Sequence, residues 1–214
     1  MIFDLDRIKK ELRENGYSVF IQNDCDFKDL STRALEMCKD ESYQRGSIYR
    51  AAISQFPKKN HALLSLVINH NFANIFYKYS CTPKDVFITH DFKSEISRNN
   101  YLHFDRLRAL KVLVYLSDVD SSDGPFSVVP GTHIDGLKLR RSFSHLNDYE
   151  EKKNRIDIDY PEIEYDLKTI TGQAGTTVLF DSDIFHCGGN ISKESERLLI
   201  RSHWYPDMEW RMNS

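Results

Sequence analysis

Four cysteines in 214 residues, Cys25, Cys38, Cys81 and Cys187, stand far apart with no CxxC pair. That spacing argues against a zinc knuckle and a disulfide scaffold, and fits thiols kept reduced in a cytoplasmic protein. Basic charge is not in surplus: 29 Lys and Arg against 32 Asp and Glu give a formal net charge of -3, so no overall positive field draws nucleic acid. No apolar run approaches the roughly 20 residues that span a bilayer. The opening Met1-Ile2-Phe3-Asp4-Leu5-Asp6 is acidic where a secretion signal is basic. There is no internal repeat and no low-complexity tract. The expectation is a single domain over residues 1–214 with one substantial core, with nucleic-acid binding and membrane insertion both disfavoured.

Within residues 4–15, Leu5, Ile8 and Leu12 recur at helical spacing among charges, and Gly16 stands where such a helix stops. A strand at 17–21 follows, then a helix at 27–39 with Leu30, Ala34, Leu35 and Cys38 on one face, and a third helix at about 61–79. Past Pro83 the texture changes to short runs of Val, Ile, Phe, Tyr and Thr broken by turn residues, as in a sandwich or barrel. Strands are expected at 86–90, 99–104, 110–116, 167–171, 176–180 and 197–205. The class is mainly β with flanking helices, divided into a helical part at about 1–82 and a β core at about 83–206. Residues 137–166 form a charged stretch longer than a hairpin connection, which reads equally as a lid and as a solvated surface insertion.

The chemistry-bearing pattern begins with His103-Phe104-Asp105, an HxD unit whose imidazole and carboxylate fall on one side of an extended segment. Two histidines and one carboxylate on one face of a metal leave positions open for cosubstrate and O2, the ligand set of non-haem Fe(II) oxygenases. A lone HxD is weak, and a second one exists at His133-Ile134-Asp135. The first is favoured because it ends an expected strand, whereas the second follows a turn and leads into the charged stretch. A further histidine, His186, is delivered by a strand and followed by Gly188 and Gly189, small residues that leave room near the backbone. In the last strand Arg197 and Arg201 share a face, and an inward Arg is costly to bury unless it meets an anion such as a carboxylate. The plainer reading of Arg197 is an ion pair with Glu194 or Glu196.

In order, Tyr101-Leu102-His103-Phe104-Asp105, the run from Lys111 to Val119, Gly124 to His133, Gly175 to Phe180, the His186 segment with Gly189-Asn190, and Arg197 resemble the phytanoyl-CoA dioxygenase family. The resemblance covers about 101–205 together with the N-terminal helix and Gly-Tyr strand. It implies a double-stranded β-helix, a jelly roll closed over its ligand. It assigns Fe(II) to His103, Asp105 and His186, and the distal carboxylate of 2-oxoglutarate to Arg197. It makes His133 part of a turn rather than a ligand. Lys111, Tyr101 and Thr177 are secondary candidates for cosubstrate contact, and Arg201, His203 and Arg141 for substrate contact. Some members carry a hydroxylated residue two places after the distal histidine, where this chain has Gly188.

The implied reaction consumes O2 and 2-oxoglutarate, releases succinate and CO2, and hydroxylates an unactivated C–H bond of a small-molecule metabolite. Asp105 disfavours halogenation, which needs a small residue there. Desaturation, ring closure and epimerisation use the same iron. The rivals are a non-catalytic metal-containing jelly-roll binding module and a cupin-type iron dioxygenase independent of 2-oxoglutarate. The cations Lys138, Arg140, Arg141, His145 and Arg155 of the charged stretch read as a solvated run balanced by Asp148, Glu150 and Glu151.

Overall fold

In the computed structural model the described residues are 4–39, 42–43, 46–69, 81–92, 101–143, 153–192 and 194–206. Helix α1 (Leu5–Asn15) starts where the Asp4 carboxylate accepts the Arg7 backbone N–H at 3.0 Å. It stops at Gly16, whose φ of 79° is a left-handed cap that glycine adopts without strain. The chain passes directly into β1 (Tyr17–Ile21), then into α2 (Phe27–Cys38), which Asp26 caps by accepting from the Lys28 and Asp29 amides. Next come β2 (Ser42–Tyr43), β3 (Gly46–Ala52), two short 3-10 turns, and α3 (His61–Val67).

The remaining elements are β4 (Cys81–Phe92), β5 (Leu110–Tyr115), β6 (Phe126–Val128), α4 (His133–Arg141), α5 (Ile156–Asp159), β7 (Lys168–Ile170), β8 (Thr176–Asp181), β9 (His186–Gly188) and β10 (Glu196–Pro206). They assemble into two antiparallel sheets, ordered β1-β8-β5-β10-β4-β3-β2 and β7-β6-β9. The expected jelly roll is therefore present, with helices on its outer face.

Alternation along each strand decides what each face meets. On β10, Leu198, Ile200 and Trp204 pack with Ile8, Leu30, Ala34, Leu63 and Val67 of the helices, while Leu199 points between the sheets. The space between the sheets holds Tyr17, Leu113, Tyr115, Val178 and Phe180 from the large one and Phe126, Val128 and Ile170 from the small one. Burying an aliphatic or aromatic side chain of this kind stabilises by about 1.5–3 kcal/mol. A buried phenol also joins the sheets: the Tyr115 hydroxyl donates to the Ile170 carbonyl at 2.8 Å and accepts the Phe126 amide at 2.9 Å.

Several expected boundaries move. The third helix ends at Val67 because Ile68 leaves helical geometry at φ -127° and ψ 84°, and residues 70–80 lie outside the described residues. The strand expected at 99–104 is, over its described part, an extended segment held by single bridges from His103 to His186 and to Arg155. Its other amides turn to separate partners, Phe104 to the Asn154 carbonyl and Asp105 to the Ser182 carbonyl, so no continuous ladder forms. Residues 99 and 100 lie outside the described residues, as do 144–152 of the charged stretch. The described flanks of that stretch are anchored: Phe143 and Ile156 are buried with Phe104, Val129 and Phe185 in a third apolar cluster.

Candidate metal centre

His103 and His186 face one another through reciprocal backbone hydrogen bonds, His103 N–H to the His186 carbonyl at 3.0 Å and the reverse at 2.7 Å. Residues opposite each other in an antiparallel pair project to the same side, so both imidazoles enter one space. Asp105 follows two residues after His103, and its amide bond to Ser182, at 2.9 Å, turns the carboxylate inward. Asp105 Oδ1 lies 3.8 Å from His103 Nε2 and 3.7 Å from His186 Nε2, and the three ligand atoms fall within 4.8 Å of one another.

The imidazoles are set for a metal. Nδ1 of His103 lies 3.1 Å from the Tyr101 carbonyl, and Nδ1 of His186 lies 2.8 Å from the Ile184 carbonyl. A carbonyl only accepts, so each Nδ1 carries the proton and each Nε2 presents its lone pair to the shared space. Burial lowers the His103 pKa against the pull of Asp105, and burial with the neighbouring His103 pushes His186 down to about 3. Both rings are therefore neutral near pH 7. Burial raises the Asp105 carboxyl, but Lys111, His186 and His103 overcome it and hold the group well below the usual carboxylate range. Two neutral nitrogens and one carboxylate oxygen fit a divalent cation and leave most of its coordination positions free.

A cavity of about 330 Å³ opens over these three residues. Its walls include Leu113, Phe126, Phe180 and Leu199, and its polar groups are Thr89, Asp91, Tyr101, Lys111, Arg197, Arg201 and His203. Lys111 makes an ion pair with Asp105 Oδ2, leaving Oδ1 toward the histidines. Burial lowers the Lys111 pKa and Asp105 opposes that shift. Arg197 is 6% exposed, donates Nη2 to Asp91 Oδ2 at 2.8 Å, and donates Nη1 to the Gly124 carbonyl. Its Nε is buried without a hydrogen-bond partner.

Behind the Asp105 loop stands a buttress that the sequence pattern did not reveal. Asp183, with no exposed surface, accepts a hydrogen bond from Arg140 Nε at 2.5 Å and forms an ion pair with Arg108, whose Nε lies 2.9 Å from Oδ2. Arg108 also reaches Asp181 at 2.7 Å, and Arg140 donates to the Asp105 carbonyl. Burial beside Asp181 raises the Asp183 carboxyl to about 6, against the pull of the two arginines. Helix α4 approaches so closely that a Cβ on Gly136 would stand 1.8 Å from the Asp183 carbonyl oxygen.

The sequence-expected residues divide clearly. His103, Asp105, His186, Lys111, Tyr101, Arg197, Arg201 and His203 all line the one cavity, and so does Gly188. Thr177 does not. It lies on the opposite face of β8, where its hydroxyl accepts from Gln22 Nε2 at 2.9 Å and donates to the Gly175 carbonyl at 3.0 Å. Arg141 is exposed at the end of α4, and it is Arg140 that turns toward the loop. The ion pair of Arg197 is with Asp91 on β4, while Glu196 meets His90 at 2.8 Å. His133 starts α4 and packs against Gly16, outside the ligand set. Thr177→Val is accordingly expected to cost about 1–3 kcal/mol in denaturant unfolding, by leaving a Gln22 N–H unpaired. Its affinity for 2-oxoglutarate should match that of the parent, and a weakened affinity would return Thr177 to the site.

The family described as phytanoyl-CoA dioxygenase (PhyH) matches residues 56–198. Among solved structures, the non-heme alpha ketoglutarate dependent epimerase SnoN from nogalamycin biosynthesis aligns with a TM-score of 0.69 at 19% identity, over 94% of this chain and 83% of that one. HygX from Streptomyces hygroscopicus, with nickel, 2-oxoglutarate and hygromycin B bound, aligns with a TM-score of 0.63 at 17% identity, over 94% and 87%. EctD from S. alaskensis with bound Fe gives 0.65 at 18%, over 96% and 77%. Likeness at such identities speaks for the fold. No curated protein matches the chain.

Proposed function

This chain belongs to the phytanoyl-CoA dioxygenase family, and from that premise we propose that it is an Fe(II)- and 2-oxoglutarate-dependent oxygenase hydroxylating an unactivated C–H bond of a small molecule. The observation that carries the reading is the convergence of His103 Nε2, His186 Nε2 and Asp105 Oδ1 within 4.8 Å, in the same cavity as Arg197. When bound, iron with 2-oxoglutarate and O2 supplies the oxidising chemistry, releasing succinate and CO2 as one oxygen atom enters the C–H bond.

The protein's own part is placement and exclusion of water. His103 and His186 would hold the metal through Nε2, their orientation fixed by the Tyr101 and Ile184 carbonyls. Asp105 would bind through Oδ1, with Lys111 occupying the other oxygen. Arg197 would meet the far carboxylate of 2-oxoglutarate. Phe126, Phe180, Leu113 and Leu199 keep the surrounding space apolar, which strengthens each of these charge interactions. Gly188 contributes no hydroxyl beside the distal histidine.

One observation favours a rival. Because Asp91 already engages Arg197, an iron dioxygenase working without 2-oxoglutarate is the second reading. Anaerobic addition of Fe(II) and then 2-oxoglutarate separates the two. A visible metal-to-ligand absorption band is expected, followed by succinate release on admitting O2. Iron binding with no band and no succinate would overturn the 2-oxoglutarate reading.

A further inference from the structure

The charges lining the cavity pair unevenly. Asp91 takes Arg197 and Asp105 takes Lys111, while no carboxylate among the described residues pairs with Arg201. Arg201 sits opposite Phe87 in the β4–β10 register, its guanidinium carbon 5.0 Å from that ring's centre. Its Nε is buried and has no hydrogen-bond partner. Asp85, the acidic residue nearby on β4, is engaged by Arg50 at 3.3 Å.

Two residues along the same face of β10, His203 repeats the pattern. Its ring centre lies 4.8 Å from that of Phe87, and its Nε2 is also buried without a partner. Burial first, then Lys111 and Arg201, lower its pKa, so the ring is neutral near pH 7. Nδ1 lies 3.4 Å from the Tyr205 hydroxyl; in the tautomer in which that hydroxyl donates, the ring's own proton is on Nε2. Both side chains line the cavity, and each keeps a buried nitrogen with no hydrogen-bond partner, a desolvation penalty that a bound acceptor reached by a small side-chain shift would reduce.

Resting on the oxygenase reading above, we propose that Arg201 and His203 form the subsite for an anionic group of the primary substrate, and that this substrate is a small carboxylic acid. One positive charge with two donors matches a carboxylate better than a phosphate dianion. The apolar walls formed by Leu113, Phe126, Phe180 and Leu199 suit a short hydrocarbon body. The substrate class is thus a monoacid bound head-first against β10, with its chain lying over the metal ligands.

The test is calorimetric titration of the anaerobic Fe(II)–2-oxoglutarate complex with hexanoate, hexanamide and hexyl phosphate. Hexanoate should bind, and hexanamide should bind about tenfold more weakly or not at all. Arg201→Met should weaken hexanoate by about tenfold or more while leaving the 2-oxoglutarate band and its titration midpoint unchanged. Arg201→Lys keeps the charge but not the Nε donor, and should show a partial loss even if the methionine variant fails to fold. Equal binding of acid and amide, no binding of the acid, or unchanged hexanoate affinity in both variants overturns the subsite. Preference for hexyl phosphate overturns its assignment to a carboxylate. Loss of the 2-oxoglutarate band in Arg201→Met would instead make Arg201 the cosubstrate anchor, overturning this subsite while leaving the oxygenase reading in place. A wild type that shows no band fails the oxygenase reading itself, and hexanoate binding to the iron-loaded protein then still reports on the subsite.

Discussion

Arg197→Met is expected to weaken 2-oxoglutarate binding by about a hundredfold or more, since each charge-assisted hydrogen bond is worth about 1.5–3 kcal/mol and two are lost. The same change should also lower fold stability by about 3–5 kcal/mol, because it breaks the buried ion pair between Arg197 and Asp91 by removing one partner. Asp91 is 4% exposed, so water compensates little of that loss. Adding Asp91→Leu should restore much of the stability without restoring the cosubstrate. Titration of the absorption band and urea unfolding of the two variants separate the effects. A single variant that binds 2-oxoglutarate normally would refute the role of Arg197.

The second large effect is expected at Asp105. Asp105→Ala removes the one anionic member of the proposed ligand set and takes from the buried Lys111 its ion-pair partner, so a dication meets net positive charge. Competition against a chromogenic Fe(II) chelator should show a loss of affinity greater than about a hundredfold, beyond the range typical of removing a residue that only orients a ligand. Lys111→Met supplies the comparison: it takes the orienting partner from Asp105 but also a positive charge from beside the metal, so its loss should be the smaller of the two. An Asp105→Ala loss no larger than that of Lys111→Met would argue against Asp105 as a ligand, since its removal would then cost no more than disturbing its orientation.

Much of the candidate site could be read from the sequence because its proposed ligands follow chain order and strand alternation. His103, Asp105 and His186 stand together in the structure, and Arg197, Arg201 and His203 share the inward face of β10 as their spacing required. Thr177 was misplaced for a physical reason. Strand β8 is buried on both faces, so Thr177 and Val178 carry no polar-apolar alternation that says which one points inward. The partner of Arg197 was hidden because Asp91 is brought opposite by the β4–β10 register, and register is not written in either strand alone. Asp181 and Asp183 were visible, but nothing local says that Arg108 and Arg140 converge on them. Strand β3 opens on Gly46 and holds one β-branched residue, Ile48, too little to announce itself as a strand.

The pairing pattern has a kinetic consequence. β1 lies against β8, β4 against β10, and His103 against His186, so the contacts around the metal join segments remote along the chain. Loop-closure entropy must be met before such contacts form, which places the fold among slow, high-contact-order topologies. The three proposed ligands gather only once β9 has docked. Iron present during refolding should therefore be captured in the last phase, leaving the folding rate nearly unchanged and slowing unfolding instead.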